Sequence, residues 1–196
     1  IANHRGSAFG RRLRPQPTQI NFENQIAIDL LRIDSPSDRS IFIEDESSSI
    51  GSLSIPTNLF YQMKNAPIAL IEATIEKRID KILKDYIISN YHEFHHHDPK
   101  NSLTLFSEFL LSSLWRIKKR LGEKNYRAVK KNMDDIIEPP NTEEAMKSHQ
   151  KWIYTLITEY YDPMYEYQLE KKSHRIIFRG DKAEFLRWSR EADYII

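Results

Sequence analysis

SIFIEDESSSIG, the stretch at residues 40–51, determines how the rest of the chain is interpreted. It begins with an apolar run, Ile41-Phe42-Ile43, which is typical of a strand buried on both faces in a parallel sheet. Three carboxylates, Glu44, Asp45 and Glu46, follow where that strand would end, and Ser47-Ser48-Ser49 and Gly51 come next as predicted loop residues. Because ligands of open α/β sheets bind beyond the carboxyl ends of the strands, these acids are candidates to hold Mg²⁺ or to orient a water. An acidic turn that caps the next helix explains the same residues equally well.

The composition limits the class of protein. The chain has 196 residues, of which 40% are hydrophobic, so a sizeable core can form. Lys and Arg number 29 and Asp and Glu 28, so the net charge of +1 gives no information about nucleic acid binding. Without cysteine, these residues form no disulfide, thiolate metal site or cysteine nucleophile. No apolar run reaches about 18 residues and no secretory signal is present, so we expect a cytoplasmic protein.

Two further stretches are predicted to be strands of the same sheet. They are PIALI at residues 67–71 and RIIF at residues 175–178. Strands that alternate with helices over short connections predict a parallel sheet with right-handed crossovers.

Apolar residues at helical spacing predict the helices. One begins near Asn21 and ends at Ser35-Pro36-Ser37, and another is capped by Thr74 and runs to about Phe94. A predominantly α-helical appendage follows, with helices at about residues 102–121, 123–137 and 143–160. We therefore expect an α/β fold in three parts, residues 1–94, 95–160 and 161–196.

The first 14 residues contain two glycines, a serine and four arginines. Arginine offers forked donors to phosphate, and glycine lets the backbone approach an anion closely. The segment is therefore a candidate anion-binding loop. A disordered basic tail has the same composition.

Basic residues are concentrated in the appendage, where residues 116–131 carry eight cations. They are Arg116, Lys118, Lys119, Arg120, Lys124, Arg127, Lys130 and Lys131. Such a density can follow a phosphate backbone, although solvated helix faces have the same appearance. Four tyrosines at residues 160–167, close to Lys171 and Arg175, either stack on nucleotides or pack the appendage against the sheet.

Histidines crowd one predicted helix end, at His92, His95, His96 and His97, beside Asp98. Their spacing matches no closed zinc pattern and no thiolate is present. Imidazoles near a helix C-terminus also interact favourably with the helix dipole, so no metal ligand is assigned.

Five stretches, taken together, resemble one family. They are NHRGSAFG at residues 3–10, QPTQINFEN at 16–24, IEDES with the following IG at 43–51, YYDPMYEYQLEKK at 160–172 and IIFRG at 176–180. In this order they resemble the tRNA 2-selenouridine synthases, over essentially the whole chain. Each stretch is short, but the combination of HRGSAFG with YDPMYEYQLEKK is specific.

The resemblance implies an enzyme that modifies the wobble uridine of tRNA. Members of the family replace the sulfur of 2-thiouridine by selenium from selenophosphate. They also attach a geranyl group from geranyl diphosphate to that sulfur, which gives an S-geranyl intermediate. Selenophosphate and geranyl diphosphate are thus the implied co-substrates, Mg²⁺ is a further candidate, and the anticodon region of tRNA is the implied partner.

The resemblance also implies a longer protein. The full-length enzyme resembles a rhodanese domain with a catalytic cysteine, joined to a P-loop domain with a Walker-A sequence. Neither occurs here, so the chain resembles the C-terminal part, an incomplete P-loop-NTPase-like parallel sheet with its helical appendage. We expect this part to be inactive alone and to have the N-terminal rhodanese and P-loop half as its partner. No catalytic residue is assigned.

The resemblance gives roles to the other candidates. By resemblance, His4, Arg5 and Ser7 are phosphate or substrate contacts, Glu44, Asp45 and Glu46 are Walker-B-like acids, and Tyr161, Tyr165 and Arg179 belong to a tRNA surface. The concentration of basic residues, and not the resemblance, adds Arg11 to the phosphate contacts. It also adds Arg116, Lys119, Arg120, Arg127 and Lys131 to the tRNA surface.

An incomplete sheet leaves apolar side chains uncovered. We therefore expect Ile41, Ile43, Ile68 and Leu70 to be exposed or covered by another chain. Two other functions stay open, a stand-alone RNA-binding module with structural acids and a remnant of a nucleotide kinase, which would need a phosphate-binding loop. A loop that converges on Asp45 would favour the transferase.

Overall fold

The computed structural model describes residues 1–33, 40–136 and 138–191. Their contacts form two compact units. The sheet unit contains the described residues of Ile1–Ser7, Arg14–Ala73 and His174–Ile196, and the helical unit contains Ala8–Leu13 and Thr74–Ser173. The predicted division into residues 1–94, 95–160 and 161–196 concerns domains rather than contact groups and stays a prediction.

The described residues are mostly helical, with two small sheets. The first elements are α1 (Gln19–Arg32), β1 (Ser49–Ile50), β2 (Leu53–Ser54), α2 (Thr57–Asn65), β3 (Ile68–Ile71) and α3 (Ile75–Ile82). A π-helical segment (Leu83–Ile88) joins α3 to α4 (Ser89–His97), and α5 (Ser102–Leu121), α6 (Glu123–Asp134) and α7 (Glu143–Leu156) follow. A second π-helical segment (Ile157–Tyr161), α8 (Asp162–Lys171), a 3₁₀ turn (Ser173–Arg175), β4 (Ile176–Gly180) and α9 (Lys182–Glu191) complete the series.

A parallel pair of strands, β3 and β4, is the centre of the sheet unit. Ile68 pairs with Ile176 and Ile71 with Gly180, and the Glu72 N–H donates to the Gly180 carbonyl at 2.8 Å. Both strands lie within stretches that the sequence predicts, and their parallel pairing is consistent with an α/β fold. The other sheet is the antiparallel hairpin of β1 and β2, which the sequence analysis assigned to a loop.

The predicted strand at Ile41-Phe42-Ile43 is wrong. The three residues form no strand, and their exposed fractions are 48%, 48% and 49%. Phe42 instead packs edge-on against Phe185 of α9, with the ring centroids 5.0 Å apart. An apolar triplet satisfies strand periodicity, but side-chain packing can bury part of it without any backbone pairing.

Ile41, Ile43, Ile68 and Leu70 were expected to be exposed, and only some of them are. Ile41 and Ile43 are half exposed, as expected, and Leu70 is partly buried. Ile68 is buried, with an exposed fraction of only 9%, so the prediction is wrong at this position. Ile68 is covered within the sheet unit because β3 pairs with β4, which supplies one of the missing neighbours.

Most helix boundaries in the helical unit agree with the sequence, although α6 ends at Asp134, earlier than predicted. Thr74 caps α3, since its hydroxyl accepts from the Lys77 N–H at 3.4 Å. The helix continues through the π-helical segment to His97, close to the predicted end. Gly122, with φ of +81°, ends α5 as predicted. The predicted helix ends at Ser35-Pro36-Ser37 and at Ile137 lie outside the described residues.

The hydrophobic core of the helical unit lies between its helices and includes one residue from the start of the chain. Phe9 is 5% exposed and stacks on Trp152, with ring centroids 5.8 Å apart. The other buried members are Leu83, Ile87, Phe94, Phe106, Leu110, Leu114, Ile117, Leu121, Val129, Met133, Ile153, Leu156 and Ile157. Phe9 thus anchors the basic segment 8–13 to the helices.

Across the described ranges, the helices lack the combination of length and apolar character that a membrane crossing requires.

Candidate anion loop and basic helix face

Of the 14 residues predicted to form an anion-binding loop, residues 3–7 form a compact turn in the sheet unit, and this turn is called the anion loop from here on. Asn3 has a positive φ of 49°, and its Nδ2 donates to the carbonyls of Arg14 at 2.6 Å and Pro15 at 3.1 Å. Gly6 has φ of +65° and donates its N–H to Nδ1 of His4 at 3.0 Å. The segment is therefore folded back on itself, which excludes a disordered tail for these residues.

Gln16 fixes this loop to the β1–β2 hairpin. Its Nε2 donates to the carbonyls of Ala2 at 3.0 Å and Ile50 at 2.9 Å. Its Oε1 accepts from the backbone N–H of Ser52 at 2.8 Å and from the Ser52 hydroxyl at 3.1 Å. The amide therefore uses both its donors and both its acceptor positions. Gln16 has no predicted role, although its place between Pro15 and Pro17 marks a rigid segment.

The acidic turn approaches the loop through Glu46. A Cβ built on Gly6 would overlap Oε1 of Glu46, so the carboxylate lies directly against the loop backbone. Glu44 and Asp45 are exposed, and Glu46 is partly buried. The structure thus brings the loop and the third acid together.

Glu46 has an unusual electrostatic environment. Burial raises its pKa most, the charge of Glu44 raises it next, and Asp45 adds to the effect, while a hydrogen bond from the Ser47 backbone opposes them. Nearby, the buried Oγ of Ser7 has no hydrogen-bond partner among the described residues. Its hydroxyl proton is therefore unused.

Arg11 belongs to a different compact unit from the other predicted phosphate contacts. His4, Arg5 and Ser7 belong to the sheet unit, whereas Arg11 belongs to the helical unit. There, Arg116 of α5 donates from Nη1 to the carbonyl of Ala8 at 3.0 Å, which holds the segment 8–13 against the helix. Burial and the charge of Arg11 lower the pKa of Arg116, so the two guanidinium groups repel each other.

The basic helix face consists of Arg116, Lys119 and Arg120 on α5 with Arg127 and Lys131 on α6. Arg127 pairs with Glu123, with 2.7 Å between Nε and Oε1. Lys119, Arg120 and Lys131 are exposed and form no ion pair with any other described residue. Three cations of this face thus have no counter-ion within the described ranges. Trp115, which the sequence analysis did not select, is exposed on α5 beside Arg116.

The tyrosine-rich stretch divides between core and surface. Tyr160 and Tyr161 pack against the core of the helical unit, and Tyr161 stacks on Tyr165 at 6.3 Å. Tyr165 is 51% exposed. Between them, Asp162 accepts from Nη1 of Arg78 at 3.0 Å, which ties α8 to α3. Within the helical unit, packing thus occupies the first half of the stretch.

Arg179 lies in the sheet unit, on β4, and pairs with Glu72 at 3.3 Å. It belongs to a different unit from Tyr161 and Tyr165, with which the sequence analysis grouped it. The ion pair is exposed on both sides, so it contributes little to stability.

The histidine-rich helix end forms side-chain contacts. His95 stacks on Tyr91 at 6.0 Å, and its Nδ1 lies 3.3 Å from the Ser102 hydroxyl. Within the described ranges, no three His, Asp or Glu side chains are grouped so that they could hold a metal ion.

A family model described as the tRNA 2-selenouridine synthase AAA domain matches residues 1–194. This chain belongs to the tRNA 2-selenouridine synthase family. A tRNA 2-selenouridine synthase of Shewanella oneidensis is 41% identical over 189 residues, which cover 96% of this chain and 50% of that protein. Those of Pseudomonas syringae and Azotobacter vinelandii are 42% and 40% identical, over 97% of this chain and 52% of each relative.

The chain therefore spans about half the length of these tRNA 2-selenouridine synthases. No solved structure matches it. The resemblance drawn from the five sequence stretches is confirmed at the level of the family.

Proposed function

We propose that this chain is the RNA- and phosphate-binding part of an enzyme that converts wobble 2-thiouridine in tRNA to 2-selenouridine. The family match over residues 1–194 carries the proposal. The finer reaction is selenium transfer from selenophosphate, by way of an S-geranyl intermediate made with geranyl diphosphate. In this proposal the β3–β4 pair is part of a P-loop-like sheet, and the enzyme acts in the cytoplasm.

In this proposal the 196 residues form one half of a longer enzyme. The catalytic nucleophile and the remaining active-site residues lie in the other half of that enzyme. The relatives are about twice as long as this chain, which supports that division. Ile41 and Ile43, half exposed in the sheet unit, are the surface that we expect the remainder to cover. Alone, the chain would then bind its ligands without turnover.

The candidate anion loop is proposed to hold the phosphate or diphosphate of the co-substrate. His4 and Arg5 lie in the loop, and the unused Ser7 hydroxyl fits an anionic oxygen, which would accept its proton. Glu46 opposes an anion beside Gly6 while it is charged. Since its pKa is raised, Glu46 takes up a proton more readily than an ordinary glutamate, which lowers that repulsion.

Magnesium at the acidic turn stays a prediction. Within the described ranges no three carboxylates or histidines are grouped to hold an ion, and Mg²⁺ is commonly held by one or two carboxylates together with substrate phosphates. We assign it no step. The acids therefore enter the proposal only through the charge that Glu46 places against the loop.

The basic helix face is proposed to contact the tRNA backbone near the anticodon. Lys119, Arg120 and Lys131 lack counter-ions within the described part of the chain, so phosphate contact would cost no existing ion pair. Each phosphate neutralised releases condensed counter-ions, which makes binding salt-dependent. Arg116 has an additional structural role at Ala8, so it is a poor choice for a charge-reversal test.

Binding of an anticodon stem-loop RNA containing 2-thiouridine tests this proposal. The wild-type chain is compared with Lys119→Glu/Arg120→Glu across a salt series. Lys77→Glu/Lys84→Glu is the matched control, because both lysines are exposed in the same unit and the change in net charge is equal. Salt-dependent binding that only the first double variant loses would support the proposal. Equal loss in both variants, or no binding by the wild type at low salt, would contradict it.

A further inference from the structure

Trp115 is exposed to solvent, and the contacts of the described residues do not explain why. Its exposed fraction is 67%, although it lies in a helix whose other face is buried in the core. The neighbouring Leu114 is fully buried, and one residue further along an α-helix turns the side chain by about 100° to the outer face. An aromatic ring of this size normally contributes a large buried area to folding, and Trp115 leaves most of its surface in water.

The surroundings of Trp115 on α5 are cationic. Arg116 follows it directly, and Lys119 lies one turn further along the same face. The acid on that face, Glu108, lies two turns earlier, and Glu123 is already paired with Lys118 and Arg127. An exposed ring beside unpaired cations is typical of surfaces that bind single-stranded nucleic acid.

A second guanidinium, that of Arg11, interacts with Arg116 from outside the helix. Phe9 in the core and the hydrogen bond from Arg116 to Ala8 fix the segment that carries Arg11. Arg116 uses one of its N–H donors within the described ranges, and Arg11 forms no ion pair there. Two like charges held together without a counter-ion complement an anion such as phosphate. Burial lowers the pKa of Arg116 most, and the charge of Arg11 lowers it further.

We propose that Trp115, Arg11 and Arg116 form a binding site for one unpaired RNA nucleotide, whose base stacks on the indole and whose phosphate lies against the two guanidinium groups. This inference rests on the proposed RNA-binding function and adds the class of RNA that this face selects. Unpaired bases expose their faces, whereas bases in an A-form duplex are stacked on each other and cannot reach the ring. The site therefore selects loop or single-stranded RNA over duplex.

The test measures binding of a short oligouridylate and of a blunt RNA duplex of the same length to the 196-residue chain. Trp115→Leu removes the ring, and Trp115→Phe keeps a smaller one. Tyr61→Leu is the matched control, because Tyr61 is 69% exposed on α2 of the sheet unit. Circular dichroism checks that each variant is folded.

We expect Trp115→Leu to weaken oligouridylate binding by about 5- to 150-fold, with Trp115→Phe in between and no change for the duplex. The slope of log K against log salt should stay unchanged in Trp115→Leu and decrease by about 0.7 in Arg11→Ala, because only the latter removes a phosphate contact. Oligouridylate should also quench the tryptophan emission of the wild type more than that of Trp115→Phe.

Two results would overturn the inference while leaving the proposed function intact. One is wild-type affinity for oligouridylate in Trp115→Leu, and the other is an equal loss for duplex and single strand. If the wild type binds neither RNA at low salt, both the nucleotide site and the RNA-binding function proposed for this chain are wrong.

Discussion

At the scale of single residues, Gly51 and Gly122 both have a positive φ but have different surroundings. Their φ values are +65° and +81°. A Cβ on Gly51 would overlap Oε1 of Gln16 and approach Cδ2 of His4 to 2.9 Å, whereas a Cβ on Gly122 would meet nothing within 4 Å. Gln16 cannot move away without breaking the hydrogen bonds that hold the anion loop to the hairpin.

We therefore expect both alanine substitutions to destabilise the chain, for different reasons. Gly122→Ala should cost backbone strain alone, about 1–3 kcal/mol, because φ of +81° with ψ of 154° is a conformation that essentially only glycine adopts. Gly51→Ala should cost about 1 kcal/mol of strain plus part of the Gln16 network, about 2–3 kcal/mol in total. Urea unfolding of Gly51→Ala in the wild-type and in the Gln16→Ala background separates the two contributions, and an equal loss in both backgrounds would show that Gln16 is free to move.

Glu46→Gln tests the electrostatics of the acidic turn. The folded-state pKa of Glu46 lies above its ordinary value of 4.5, so the folded state binds its proton more tightly than the unfolded state does. Wild-type stability must then fall as the pH rises from about 4.5 through the folded-state pKa, because ionisation is harder in the fold. Glutamine cannot ionise, so the variant should be more stable than the wild type at pH 7 and similar near pH 4.

Thermal unfolding at the two pH values checks this prediction. Glu23→Gln on α1 is the control, since Glu23 is exposed in the same unit. A gain in stability that is equal at both pH values would contradict the assigned cause.

At the scale of elements, one arginine closes the C-terminal end of α2. Arg175 donates from Nε to the Ala66 carbonyl at 2.8 Å and from Nη2 to the Met63 carbonyl at 3.0 Å. These are carbonyls that a helix end leaves without partners, and a cation there also interacts favourably with the helix dipole. The residue comes directly before β4, so the same contact connects α2 to the start of that strand.

Arg175→Ala should therefore destabilise the sheet unit by about 2 kcal/mol, the range for hydrogen bonds to a charged donor. Arg175→Lys keeps the charge but loses the planar fork, so its loss should be smaller but measurable. Hydrogen exchange of the α2 amides reports where the loss occurs. Unchanged exchange in α2 would show that Arg175 does not close this helix.

The helices were predictable, and the hairpin could have been. Periodic apolar residues and caps such as Thr74 and Gly122 mark the helices. A Gly-Ser pair between Ile50 and Leu53 is a recognised two-residue hairpin signal, which the loop interpretation overlooked. The strand prediction at Ile41-Phe42-Ile43 failed because Phe42 packs against Phe185 of α9, a residue far away in the sequence.

The sequence predicted which residue types make up the candidate site, but not how they are arranged. Composition indicated an anion loop and acids, but the contact between Gly6 and Glu46 and the hydrogen bonds of Gln16 are visible only in three dimensions. Trp115 was within reach, because it lies one position off the buried stripe that includes Leu114.

At the scale of the whole molecule, a net charge of +1 conceals an uneven distribution. Lys118, Arg127 and Lys130 are neutralised by neighbouring acids, while Lys119, Arg120 and Lys131 have no ion pair within the described ranges. Total charge therefore gives no indication of the RNA surface proposed here. Only the pairing pattern distinguishes the cations that are available to a ligand.

The pairing of β3 with β4 sets the order of events during folding. Residues 72–175, which include almost all of the helical unit, lie between the two strands. Closing so long a loop is slow, whereas successive helices form from contacts between near neighbours. The strands should therefore join last, after the intervening helices have collapsed. In pulse-labelled refolding, the Glu72 amide should gain protection after the amides of α5, and simultaneous protection would contradict this order.

During synthesis, β3 and β4 cannot pair until residues up to 180 have left the ribosome. Until then β3 remains unpaired in the nascent chain.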